Sequence, residues 1–179
     1  MHFDLKQSLE DTFRTSNSSD ELFDAFRVAI DRRIEDEDFY KVLLRNSALS
    51  IDEISMFAGK ICKEFPDISY SIFYCVGQLL ASISSYSKHH DEALRYFLKA
   101  ASKDPQAHEP YLAIAKMYNS ELNLPRFEVV VQTVADGITF VNFKSPLCFA
   151  LADLYKLIGD VEKEQNYQTL GELYQREGK

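Results

Sequence analysis

The side chains best equipped for chemistry in this chain are four histidines, three cysteines and one dense run of acids, and their spacing decides what they can do. A metal site needs imidazole, thiolate or carboxylate groups converging on one point, commonly from i and i+4 of a helix. His89 and His90 are adjacent, at an expected turn between helices, and neighbours on a chain rarely aim at one ion; His2 and His108 have no matched partner at i+4. The acids of "IEDED", Ile34 to Asp38, lack the glycine-containing loop of alternating ligands that calcium requires. Acids closing a helix oppose its dipole, so this run marks a break, with Asp36 or Asp38 capping the next helix. Cys62, Cys75 and Cys148 are odd in number, with no CxxC pair, which suggests neither a zinc ribbon nor a disulfide framework. They read as small buried hydrophobes in a reducing compartment. No glycine-rich phosphate loop, GxSxG or HExxH occurs. A non-enzyme without metal or cofactor is expected.

The charge balance narrows the partners. Twenty-eight acids against 20 bases give a net charge of −8, with the acidity concentrated in the first half. Such a chain repels phosphate backbones and anionic lipids, so nucleic acid and membrane are poor partners and basic or neutral peptides better ones. The start, "MHFDLKQSLED", alternates charge too often for a secretory core, and no run of about 18 apolar residues appears. The cytoplasm is the expected location.

The elements that must position these groups read as helices. Six glycines and five prolines are few, and 46% hydrophobic content is ample for a core. "DEISMFAGKICKEFP" (Asp52 to Pro66) and "DEALRYFLKAASKDP" (Asp91 to Pro105) repeat one layout: Ile54, Ala58, Lys60 and Ile61 stand where Ala93, Phe97, Lys99 and Ala100 stand. Ser50 with Glu53, and Ser18 with Glu21, have capping-box spacing. Ile68 to about Tyr86 is apolar nearly all round except for Ser71, Gln78, Ser82 and Ser85, as in a mostly buried helix. Tyr111, Ile114, Ala115 and Tyr118 line one face of a helix from His108 to about Glu121. Pro125 to about Val141 is rich in Val and Thr, which favour strands, yet Phe127, Val130, Val131, Val134, Ile138 and Val141 keep a helical stripe. Pro146 to Ile158 is the next helix, stopped at Gly159, and Asp160 to about Arg176 has the polar outer face of a terminal cap. Upstream, Phe3 to Arg14, a stretch with Leu22, Phe23, Phe26, Ala29, Ile30 and Ile34 at helical spacing, and Asp38 to about Ala48 complete an all-α chain.

These residues resemble the tetratricopeptide repeat family, whose unit is about 34 residues. Ala93, Phe97, Ala100 and Pro105 match the second helix of a repeat; Tyr111, Ile114, Ala115 and Tyr118 match the first helix of the next; Leu151, Ala152, Tyr155, Gly159 and Asp160 match again. Small residues at Ala93, Ala100, Ala115 and Ala152 allow close helix approach, with Phe97, Tyr111, Tyr118 and Tyr155 filling the gaps opposite. The match is strong from about Ser69 to Asp160. It departs where Asp52 and Asp91 lie further apart than one family unit, and where Phe127 and Glu164 stand in place of small residues. The resemblance implies a right-handed α-α superhelix of about four helix pairs over residues 38–179, after a helical extension over 1–37.

It also implies a concave groove, lined by the non-core positions of the first helices, that binds a peptide or helix of another protein: Gln78, Ser82 and Ser85; Glu109, Leu112, Lys116 and Asn119; Phe149, Asp153 and Lys156. Leu112 and Phe149 stand out, since an apolar side chain away from the core face needs a neighbour or a ligand. The Lys/Arg/Asn clamp that chaperone-tail-binding members use is not expected here, where Lys116 and Asn119 sit beside acidic Glu109 and Asp153. The function expected is a non-catalytic adaptor, chaperone or assembly factor. The alternatives are a self-associating scaffold, with a homodimer through the long Ile68 to Tyr86 helix or the N-terminal helices, and a regulatory or accessory domain of an enzyme complex.

Overall fold

Local capping chemistry sets where several helices begin. A computed structural model describes residues 5–83 and 89–178; Ser85, His2 and the end of the helix expected to reach Tyr86 lie outside them. Ser18 accepts from the Glu21 N–H to start α2 (Ser19–Asp31), which follows α1 (Leu5–Thr15). Asp36 accepts from the Phe39 N–H to start α3 (Glu37–Leu44), and the full Ser50/Glu53 capping box starts α4 (Ile51–Glu64). The acidic run is thus a helix break and a cap. Lys6 Nζ lies 2.6 Å from Asp36 and holds its carboxyl below the usual carboxylate range, helped by the Phe39 N–H.

A short 3-10 turn at Pro66–Ile68 leads into α5 (Ser69–Ile83), followed by α6 (His90–Lys103), α7 (Glu109–Lys116), α8 (Phe127–Gly137), α9 (Ser145–Leu157) and α10 (Val161–Glu177). Among the described residues there is no β-strand, only an isolated bridge between Asn119 and Leu124. The Val-rich α8 is helical because its stripe buries Val130 and Val134, so packing overrides strand propensity. Helix α7 is shorter than its periodicity suggests. Two asparagines end it and start the next: Asn119 pairs its backbone with Leu124, and the Asn123 side chain caps Phe127 N–H at 3.0 Å.

One hydrophobic core runs from Leu9 to Leu154, and α1 and α2 share it with the rest. Asn46 ties the first turns together, donating to the carbonyls of Phe13 and Ser16 and accepting from the Ala48 N–H. Phe26, Phe39 and Phe65 contact the fully buried Tyr40, with Phe57 on Phe26 and Phe13 on Phe39 extending the cluster; among the described residues the Tyr40 hydroxyl has no hydrogen-bond partner. Helix α1 packs on α2, consecutive helices pack on each other from α3 onward, and some alternate ones meet as well: α1 against α3, α3 against α5, α7 against α9.

At three glycines an aromatic ring lies directly on the backbone. A Cβ at Gly77 of α5 would lie 2.7 Å from the Phe97 ring of α6; at Gly137 of α8, 2.7 Å from the Tyr111 ring of α7; at Gly171 of α10, 2.7 Å from the Phe149 ring of α9. The three C-terminal helix pairs, α5/α6, α7/α8 and α9/α10, therefore use one device. The rings of Phe97 and Tyr111 thus face glycines, where the sequence pointed to alanines. Tyr118 and Tyr155 instead flank Phe127, with centroids 5.3 and 5.7 Å away.

Candidate functional site

A cleft of about 550 Å³ opens between α5 and α7. Its α5 wall carries Tyr74, Gln78, Ala81 and Ser82, and the first, second and fourth of these share a face because they are four residues apart. Its α7 wall carries Glu109, Leu112, Ala113 and Lys116, and Phe97 of α6 closes the bottom. Tyr70 stacks on Tyr74 with centroids 6.1 Å apart, and its hydroxyl donates to Glu109 Oε2 at 3.5 Å. Burial, reinforced by the Glu109 carboxylate, pushes both tyrosine hydroxyls up from their ordinary value. The cleft is apolar in its depth and polar at its rim, a layout that can hold an apolar side chain and orient what flanks it.

Of the ten expected groove residues, Ser85 lies outside the described residues and five meet here: Gln78, Ser82, Glu109, Leu112 and Lys116. The other four stand elsewhere. Asn119 lies beyond the end of α7, where its Oδ1 accepts from the Leu122 N–H at 3.0 Å. Phe149 is covered from within the fold by Gly171, so the neighbour its apolar position calls for is α10. Asp153 and Lys156 are exposed on α9, outside the cleft. Tyr74 could have been found from its spacing to Gln78 and Ser82; Phe97 reads in sequence as core, and no pattern marks it as a cleft floor.

Among the described residues no three His, Cys, Asp or Glu side chains converge where a metal ion could sit, and no helix is long and apolar enough to cross a membrane. The three thiols are unpaired. Burial pushes those of Cys62 and Cys148 up to about 11, and that of Cys75 up as well. Since the thiolate is the nucleophile, the native protein is expected to resist iodoacetamide at neutral pH and to take up label at all three cysteines only once unfolded, as read by intact mass. Rapid native labelling would show that a thiol is reachable.

Comparison with known proteins returned no matching family model, curated protein or solved structure. The chain's own geometry therefore carries the functional reading.

Proposed function

We propose that this chain is a right-handed α-α superhelix of the tetratricopeptide kind, a cytoplasmic, non-catalytic interaction module whose α5/α7 cleft binds a peptide or helix of another protein. The layered packing of alternate helices and the ring-on-glycine contact repeated in three successive pairs support the architecture. Three unpaired thiols, two of them buried and Cys62 partly so, fit a reducing compartment. The observation that carries the function is the cleft itself, where an apolar depth and five independently expected side chains coincide. Affinity comes from an apolar side chain seated against Leu112, Ala113 and Phe97; Gln78, Ser82, Glu109 and Lys116 orient the backbone and flanking groups.

Leu112→Gln keeps side-chain size and adds no charge, and it is expected to weaken partner binding about tenfold or more, given roughly 1.5–3 kcal/mol for burying a leucine against a partner. The measurement is an affinity pull-down from native lysate with mass spectrometry, beside the variant matched for folding by circular dichroism. A protein held by the wild type and lost from the variant supports the cleft; equal retention moves the site elsewhere. Phe149 is unsuited to this test, because replacing it would loosen α9 from α10.

A further inference from the structure

The α5/α7 cleft carries charge of opposite sign at its two ends. Glu109 stands in the first turn of α7 and Lys116 in the last, both on the cleft wall, separated by seven residues of helix or about 10 Å. Among the described residues neither is within ion-pair distance of an oppositely charged Lys, Arg, Asp or Glu; the nearest basic group to Glu109 is His108, with Nδ1 3.9 Å away. Two charges of opposite sign on a binding wall fix the direction of whatever lies along it.

At the Glu109 end the cleft continues into a second hollow of about 270 Å³, for which Glu109 is also a wall. Tyr70 comes from the start of α5, Asp104 from the α6–α7 turn, and Phe143 from the α8–α9 turn. Hydrogen bonds fix the turns to each other. Asn142 donates from its backbone to the Gln106 carbonyl and from Nδ2 to Gln106 Oε1, both at 3.2 Å, and the Gln106 N–H donates to Asp104 Oδ1 at 3.1 Å. Phe143 is 58% exposed although its ring is held edge-on to His108, with centroids 6.0 Å apart. Of the lysines adjacent in sequence to these residues, Lys103 lies near Cys62 on α4 and Lys144 over the Tyr174 ring. The hollow thus combines two carboxylates and two aromatic rings with the His108 imidazole, and the field of both carboxylates reaches the half-buried Tyr70 hydroxyl. Carboxylates attract a cation while ring faces accept it as it loses water, a pairing that suits guanidinium and ammonium groups. Phosphate would be repelled by the same pair of acids.

We propose, on the cleft-binding reading above, that the occupant is an apolar segment of a partner protein carrying an arginine or lysine, whose cation seats among Glu109, Asp104, Tyr70 and Phe143. An acidic residue about 10 Å further along the segment lies opposite Lys116. Leu112 and Phe97 take the apolar side chain between them. The partner therefore binds in one direction, with its basic end toward the α6–α7 turn.

The test uses a phage-displayed library of random linear peptides, panned on the full chain. Enriched sequences are then synthesised and titrated against the wild type, Leu112→Gln, and the double variant Glu109→Gln/Asp104→Asn, all checked by circular dichroism. Both amide replacements preserve size, and at position 104 a side-chain carbonyl remains for the Gln106 N–H. The expected result is enrichment of peptides with Arg or Lys beside apolar residues, which lose about tenfold or more in affinity on the double variant and also on Leu112→Gln. Peptides that depend on Leu112 but carry no basic bias, or that bind the double variant as well as the wild type, overturn this proposal and leave the cleft reading standing. Peptides indifferent to Leu112→Gln, or no enrichment, overturn the cleft reading and this proposal with it.

Discussion

Phe97→Ala is expected to lower the stability of the protein by about 3–5 kcal/mol, read from urea unfolding followed by circular dichroism. Phe97 is 1% exposed, and its ring rests on the backbone of Gly77 and against Tyr74, with centroids 5.7 Å apart. Two costs add: the transfer energy of a large apolar group, and the void left where the ring separates α5 from α6. The void collapses poorly, because helix backbones cannot close on it without shifting Ala93 and Ala100, which are buried on the same helix. Since Phe97 also floors the cleft, the variant is expected to lose partner binding even where it remains folded. A loss below about 1 kcal/mol would mean that the ring does not wedge the two helices.

The second prediction turns on the sign of one change at two places. Gly77→Ala is expected to destabilise by about 1–2 kcal/mol, whereas Gly59→Ala is expected to stabilise by about 0.5–1 kcal/mol. Both glycines are inside helices, where alanine is intrinsically better by up to about 1 kcal/mol. At Gly59 an added Cβ meets nothing within 4 Å, so that gain is realised. At Gly77 it would lie 2.7 Å from Cδ1 and Cε1 of Phe97, and a fully buried ring has nowhere to move without displacing its neighbours. Overpacking of this kind costs roughly 1–3 kcal/mol and outweighs the helix gain. A double-mutant cycle makes the argument strict. In the Phe97→Ala background the clash is gone, so Gly77→Ala should change from a loss to a gain. Independent, additive effects at 77 and 97 would show that the close approach is not what makes glycine necessary.

Much of the helical content is legible in the sequence because its causes are local. Ser18, Asp36, Ser50 and Asp160 each accept from a backbone N–H within three residues, so the start of a helix is written within one turn of chain. Gly159, at φ 76°, ends α9 by a conformation that costs other residues more. The cleft was half legible. Gln78, Ser82, Glu109, Leu112 and Lys116 follow from asking which helix positions lie off the buried stripe. The same question misplaced Asn119, because it assumed that periodicity continues a helix, while two asparagine side chains bonding to nearby backbone stopped it.

Phe149 marks the boundary between the two kinds of information. Its position off the core stripe of α9 is a property of the sequence, and so is its need for cover. That the cover is Gly171 of α10 depends on how near two backbones come, which no periodicity records. The hollow beside Glu109 depends on this even more, since Tyr70, Asp104 and Phe143 belong to three separate parts of the chain and meet only through the packing of α5 to α9. By itself the sequence determined that the chain is helical, where most helices start, and which side chains need burial or partners. Tertiary structure decided which of those needs the fold meets internally and which remain open to a partner, because helix separation is set by the rings and glycines between elements distant in the chain.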